Sequence, residues 1–88
     1  MSQERDGIVK RNSLDICADM LKVSRVGAKK SHLVYRANLN FLIVKKYLNR
    51  LVDNGLLDHS GDEFYTTNKG SEFLERYETA IAPLSRRL

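Results

Sequence analysis

Eight cationic side chains lie in a stretch of the sequence that contains no acidic residue. Between Met20 and Val52 there is no Asp or Glu, whereas the basic residues of this stretch are Lys22, Arg25, Lys29, Lys30, Arg36, Lys45, Lys46 and Arg50. Lysine and arginine neutralise phosphate and donate hydrogen bonds to it. The pattern indicates a surface that faces a polyanion; a solvated basic face without a partner is the alternative.

The charge of the chain is unevenly distributed. Residues 1–52 contain eleven Lys and Arg against four Asp and Glu, a net charge of +7, whereas residues 53–88 contain four against seven, a net charge of −3. The total of +4 by itself indicates only some affinity for polyanions. The asymmetry assigns the expected contact surface to the first part of the chain.

Residues capable of catalysis or metal binding are few and scattered. Cys17 lies in an apolar stripe, where a buried and inert thiol is expected, and a single cysteine forms no internal disulfide. His32 and His59 lack a partner at the spacing of a catalytic or metal site. We therefore expect no enzyme, no metal, no cofactor and no evident small-molecule effector.

Length and hydropathy limit the organisation of the chain. Its 88 residues make one domain, and 42% hydrophobic with 30% charged residues is a globular composition. The longest apolar run, residues 41–44, is far below the roughly 20 residues that cross a bilayer. We expect a soluble, cytoplasmic protein with a flexible segment at 1–11, a domain at 12–79, and the end of a C-terminal helix or tail at 80–88.

Two short helices are predicted first. One follows the candidate N-caps Asn12 and Ser13 and ends near residues 23–25, and the second spans about residues 30–37. The apolar side of the first is expected to contain Leu14, Cys17, Ala18, Met20 and Leu21. Val26 and Ala28 form a candidate minimal strand between the helices. Asn38 suits a left-handed turn before Asn40, the candidate cap of a third helix.

The third helix, predicted over residues 40–53, has two distinct sides. The core side is expected to contain Phe41, Val44, Leu48, Leu51 and Val52. The outward side is expected to contain Leu42, Ile43, Lys46, Asn49 and Arg50. Asn54-Gly55 ends the helix, and residues 56–59 and 64–67 then flank the turn residues of a small, acidic β-hairpin.

A fourth helix, capped by Thr67, has apolar residues at heptad spacing. These are Gly70, Leu74, Tyr77, Ile81, Leu84 and Leu88. The spacing predicts a dimer interface through Leu74, Tyr77, Ile81 and Leu84. In the alternative, Phe73, Leu74 and Tyr77 pack on the core of their own domain. Pro83 is expected to kink or end the helix.

Three helices followed by a hairpin predict a mainly α winged helix-turn-helix. The outward side of the third helix would then enter the major groove of duplex DNA, with Lys46 and Arg50 donating to guanine, Asn49 to adenine, and Leu42 and Ile43 contacting thymine methyl groups. The same two cations would serve equally as phosphate contacts. The expected phosphate contacts are Lys29, Lys30, Ser31, Arg36 and Lys45, with Lys22 and Arg25 as weaker candidates.

Several segments also resemble a known family. The runs Lys29–Asn40, Lys46–Leu48, Asp53–Leu57, Tyr65–Gly70 and Phe73–Leu74 look like the archaeal winged helix-turn-helix family of small chromatin proteins and regulators. The resemblance covers roughly residues 13–77. It implies a winged-helix fold, DNA binding through the third helix and the hairpin, and a homodimer formed by an antiparallel coiled coil of the C-terminal helices.

Three functions follow as hypotheses. The first is a transcriptional regulator that binds specific duplex DNA, because Leu42, Ile43 and Asn49 favour base contacts over phosphate contacts. The second is a nucleoid protein that coats DNA with little sequence preference. The third is a protein-interaction module in which Leu42, Ile43 and Tyr47 form an apolar docking patch. The acid-free stretch favours DNA over the third hypothesis.

Overall fold

Residues 12–86 are described by a computed structural model, with side chains described as far as Ile81. Its elements in chain order are α1 (Ser13–Val23), a 3-10 helix (Ser24–Val26), β1 (Ala28–Lys29), α2 (Lys30–Arg36), α3 (Phe41–Asp53), β2 (Leu57–Ser60), β3 (Glu63–Thr66) and α4 (Asn68–Arg86). The segment predicted to be flexible, residues 1–11, lies outside this range. Within it, three helices followed by a hairpin confirm the predicted winged helix-turn-helix.

α1 begins with a reciprocal pair of hydrogen bonds. The Asn12 side chain accepts from the backbone N–H of Asp15 at 2.9 Å, and the Asp15 carboxylate accepts from the backbone N–H of Asn12 at 3.3 Å. This capping box satisfies two backbone donors that the start of a helix leaves unpaired. The negative charge of the carboxylate also interacts favourably with the positive end of the helix dipole. The predicted Asn12 cap is therefore confirmed.

The hairpin belongs to a three-stranded antiparallel sheet in the order β1-β3-β2. Ala28 pairs with Phe64, and Leu57 pairs with Thr66. The Thr66 hydroxyl also donates to the backbone carbonyl of Leu21 at 2.7 Å, which joins the hairpin to the end of α1. The central strand of the sheet is thus joined to the end of α1.

Each element except the 3-10 helix contributes an apolar residue to one core. Completely or almost completely buried side chains include Met20 and Leu21 from α1, Leu33 from α2, Val44, Leu48 and Leu51 from α3, Leu57 and Phe64 from the hairpin, and Leu74 from α4. A buried leucine contributes about 1.5 to 3 kcal/mol to the free energy of folding. This shared core fixes the orientation of α3 relative to the rest of the domain.

The structure corrects three expectations around α1. Ile16 is buried there, whereas Leu14 is 54% exposed and Cys17 is only partly buried. Burial raises the pKa of the Cys17 thiol, and the charge of Arg50 opposes this shift. Val26 lies in the 3-10 helix rather than in a strand and is 88% exposed. The side of α1 that α2 and α4 bury therefore differs from the side that the apolar spacing predicts.

α4 begins as predicted but does not end at Pro83. The Thr67 hydroxyl accepts from the backbone N–H of Gly70 at 3.0 Å, which confirms the cap. The helix continues through Pro83 to Arg86, so of the two expected effects of Pro83, the end of the helix is wrong and a kink stays a prediction. A proline removes one backbone hydrogen bond, and here it does so within the last turn described.

Candidate nucleic-acid interface

The turn between α2 and α3 determines where α3 begins. Asn38 adopts the left-handed conformation with φ 54°, and Leu39 packs against the core. The Asn40 side chain then accepts from the backbone N–H of Ile43 at 2.8 Å and caps the helix. The left-handed turn at Asn38 and the cap at Asn40 confirm the sequence prediction. Because the turn is short and capped, the residues at the amino end of α3 have defined positions.

α3 divides into a buried side and an exposed side. The buried side contains Val44, Tyr47, Leu48 and Leu51. The exposed side contains two columns of residues four apart, which are Phe41, Lys45 and Asn49 in one and Leu42, Lys46 and Arg50 in the other. In each column an apolar residue comes first and a cation follows one turn later. This exposed side of α3 is termed the α3 face below.

Four of the five residues predicted for the outward side lie on the α3 face. Leu42, Lys46, Asn49 and Arg50 are all exposed. Ile43 differs, because it is partly buried and packs against the core. Phe41, predicted to be in the core, is 53% exposed and takes a place on the α3 face that the sequence interpretation missed. The cap at Asn40 was the available signal, since a residue in the first turn is the least enclosed by neighbouring elements.

Tyr47 supports the two cations of the second column. Its ring is only 8% exposed, and its hydroxyl forms a 2.9 Å hydrogen bond with the Ser13 hydroxyl on α1. Lys46 Nζ lies 5.9 Å from the ring centroid and Arg50 Cζ lies 5.7 Å from it. Cation–π contacts of this kind favour side-chain positions beside the ring. Because its ring is buried, Tyr47 is not available for the apolar docking patch that the protein-interaction hypothesis requires.

The predicted phosphate contacts fall into two groups. Ser31, Arg36 and Lys45 are exposed, and no carboxylate of the described residues is within ion-pair distance of Arg36 or Lys45. Lys29 forms an ion pair with Asp62 of the hairpin at 3.6 Å, and Lys30 Nζ lies 5.2 Å from the centroid of the Phe41 ring. The first group is open to an external anion, whereas Lys29 already faces a carboxylate.

The two weaker phosphate candidates are paired with α4. Lys22 Nζ lies 3.5 Å and Arg25 lies 3.9 Å from the carboxylate of Glu78. Both pairs are exposed, so each contributes little to the free energy of folding. Their charges are nevertheless partly neutralised, which leaves α2 and α3 as the more positive part of the surface.

The hairpin forms one wall of a cleft beside α3. The cleft has a volume of about 450 Å³, with Lys45, Asn49 and Asp53 on the α3 side and His59 and Asp62 on the hairpin side. The His59 ring stacks on Phe64 with centroids 4.1 Å apart. The hairpin therefore presents the carboxylate of Asp62 and a stacked imidazole, rather than lysines or arginines, toward the cleft.

The residues predicted for a dimer interface occupy different environments. Leu74 is completely buried in the core of its own domain, so a partner helix has no access to it and its assignment to the interface is wrong. Tyr77 and Ile81 are partly buried. Together with Leu14 and Phe73 they line a mainly apolar groove of about 430 Å³ between α1 and α4. The side chain of Leu84, like Leu88, lies outside the described residues.

Residues 12–86 contain neither a cluster of metal ligands nor a helix that could span a membrane. In that range no three His, Cys, Asp or Glu side chains come together in a group that could hold a metal ion. None of the described helices combines the length and the apolar character that crossing a membrane requires.

Comparison with known proteins identifies the family. A family model described as winged helix-turn-helix matches residues 10–83, so the chain belongs to the winged helix-turn-helix family. Among solved structures it is similar to the crystal structure of Sso10a-2, a DNA-binding protein from Sulfolobus solfataricus. The TM-score is 0.76, with 25% sequence identity, 86% of this chain covered and 84% of that chain covered. No curated protein matches the chain.

Proposed function

We propose that this protein binds duplex DNA by inserting α3 into the major groove. The observation that supports this most strongly is the α3 face, on which Lys45, Lys46 and Arg50 are exposed beside Leu42 and Asn49. One α-helix fits the width of the major groove, and cations beside it neutralise phosphates. The similarity to a DNA-binding protein adds support from an independent source. The proposed activity is binding without catalysis.

Within the groove, the side chains of the α3 face have complementary roles. Asn49 has the donor and acceptor pair that matches adenine, Arg50 and Lys46 donate to guanine or to phosphate, and Leu42 contacts a thymine methyl group. Ser31, Arg36 and Lys45 bind phosphates on the flanking backbone. Because an apolar side chain and an amide gain little from phosphate, this composition favours a site-specific transcriptional regulator over a protein that coats DNA evenly. Such a regulator acts in the cytoplasm, associated with the nucleoid.

We further propose that the protein is a homodimer formed through the groove between α1 and α4. Leu14 and Ile81 are accessible in this groove, and Leu14 is 54% exposed. A second copy of α4 that covers them would remove apolar surface from water. A two-fold dimer would present two copies of α3 to successive major grooves, a geometry that binds inverted repeats.

The test is a fluorescence-anisotropy titration of a random-sequence duplex and of a pool of genomic fragments at two salt concentrations. The logarithm of the association constant should fall with the logarithm of salt at a slope of roughly 0.9 per neutralised phosphate. Preferred fragments would support a regulator, and equal binding to all fragments would support a nucleoid protein. An absence of binding at low salt would refute the proposal and favour a protein-interaction module.

A further inference from the structure

Two large apolar side chains lie next to each other in solvent at the amino end of α3. Phe41 is 53% exposed and Leu42 is 76% exposed. Single exposed apolar residues are ordinary, but a contiguous exposed pair with cations nearby is a candidate contact surface. Because the two residues are consecutive, they point in directions about 100° apart around the helix axis. They therefore reach two different points on whatever surface α3 contacts.

Three nearby cations limit what that surface is. Lys30 Nζ lies 5.2 Å from the centroid of the Phe41 ring, and Lys45 and Lys46 follow one turn after Phe41 and Leu42. A partner that covers the pair must accept apolar side chains at its centre and positive charge around them. The major groove of DNA combines both features, because the thymine C5-methyl group is the apolar feature of the base-pair edges and phosphates border the groove on each side.

We infer that Phe41 is a specificity-determining residue that contacts a thymine methyl group next to the one contacted by Leu42, so that the preferred site contains thymines on neighbouring base pairs. This inference rests on the proposed DNA-binding function and deepens it. The amino-terminal residues of a recognition helix are those that contact base edges in helix-turn-helix proteins. Lys30, whose Nζ lies 5.2 Å from the centroid of the Phe41 ring, binds the adjacent phosphate.

The experiment removes the methyl groups and leaves everything else in place. The preferred duplex is selected from a random pool with the full-length wild-type chain, and each thymine within it is then replaced by deoxyuridine, one at a time. Wild-type affinity should fall about fourfold at each of two neighbouring positions, the loss that corresponds to one buried methyl group. The Phe41→Ala variant should bind the thymine duplex about fourfold more weakly and show no uracil effect at one of the two positions.

Three variants separate this contact from other causes. Phe41→Leu keeps an apolar side chain and should retain part of the uracil effect, with far-UV circular dichroism as the check on folding. Val26→Ala removes an apolar side chain that is 88% exposed in the 3-10 helix, away from α3, and it should leave the uracil effect unchanged. Lys30→Gln should weaken binding to thymine and uracil duplexes equally, because a phosphate contact does not depend on the base.

The outcomes distinguish the inference from the function on which it rests. Equal binding of thymine and uracil duplexes by the wild type would overturn the inference while DNA binding stands. A Phe41→Ala variant that loses affinity but keeps both uracil effects would also overturn it, because Phe41 would then contact sugar or phosphate. Failure of the wild type to bind any duplex at low salt would remove the proposed function itself.

Discussion

The Tyr77 hydroxyl on α4 donates a hydrogen bond to the Asp15 carboxylate on α1, across 62 positions of sequence. The other oxygen of the same carboxylate accepts from the backbone N–H of Asn12 and closes the capping box of α1. The Asp15 side chain thus caps the start of α1 and attaches α4 to it. Tyr77, predicted as a dimer contact, is already bonded within its own chain, and any partner helix must pack around that bond.

We expect the Tyr77–Asp15 hydrogen bond to make the stability of the protein fall as the pH rises above 10. The bond, followed by burial and the charges of Asp15, Asp19 and Glu78, raises the pKa of Tyr77 to about 12 from its ordinary value of 10. A raised pKa means that this stabilisation is complete below pH 10 and is lost as the pH rises toward 12. The wild type should therefore lose more melting temperature between pH 10 and 12 than Tyr77→Phe does.

The same variant should be less stable at neutral pH. Removal of the hydroxyl costs about 1 kcal/mol of unfolding free energy, since the bond is partly buried and its acceptor is charged. Urea unfolding at pH 7 measures this loss, and comparison of the two proteins cancels the titration of all other groups. If the melting temperatures of wild type and Tyr77→Phe fell by the same amount from pH 10 to 12, the role assigned to the Tyr77 hydroxyl would be contradicted.

Replacement of Gly70 by Ala should destabilise the protein, although alanine favours helices. A Cβ atom at Gly70 would collide with the backbone carbonyl oxygen of Leu56, which also accepts from the Thr67 N–H. Relief of the collision requires α4 to move from the hairpin, at a cost of about 1 to 3 kcal/mol. The neighbouring exposed Ser71→Ala variant should change the unfolding free energy by less than about 0.5 kcal/mol. An unfolding free energy in Gly70→Ala equal to or above that of the wild type would refute the close contact.

The double variant Lys46→Ala with Arg50→Ala should abolish DNA binding and leave the fold intact. Both side chains are exposed on the α3 face, so the melting temperature should shift by less than about 4 °C. For a domain of this size, that shift corresponds to a change of less than ~1 kcal/mol in the free energy of unfolding. Anisotropy titration measures binding, and Lys69→Ala, which removes an exposed cation from α4, is the control expected to bind normally. Wild-type affinity in the double variant would place the DNA contact elsewhere.

Ile81→Glu should dissociate the proposed dimer. Ile81 is partly buried in the groove between α1 and α4, and a charge placed there would be desolvated in an interface without a partner. Sedimentation velocity should give the monomer mass, as should truncation after Thr79. The exposed Thr79→Glu variant adds the same charge to the same helix and should sediment as the wild type does. An unchanged mass for Ile81→Glu would assign the interface to another surface.

The sequence by itself determined the helix starts, the turn and the fold class. Asn12 and Asn40 cap their helices through bonds to residues three positions away, and Asn38 makes a turn that its own backbone preference favours. These interactions join neighbours in the chain, so residue type and spacing are sufficient to predict them. The basic stretch from Met20 to Val52 and most of the α3 face are predictable for the same reason.

Only the tertiary structure decided which side chains at the margins of each helix are buried. Phe41 was predicted to be in the core but is exposed, because it precedes the part of α3 that other elements enclose. Tyr47 is buried because it contacts Ser13, which is 34 positions away in the sequence. Heptad spacing likewise does not distinguish a partner chain from the domain's own core, and Leu74 packs in the latter. Apolar periodicity identifies a side of a helix that avoids water, but the elements that cover that side are distant in sequence, and their packing decides where burial ends.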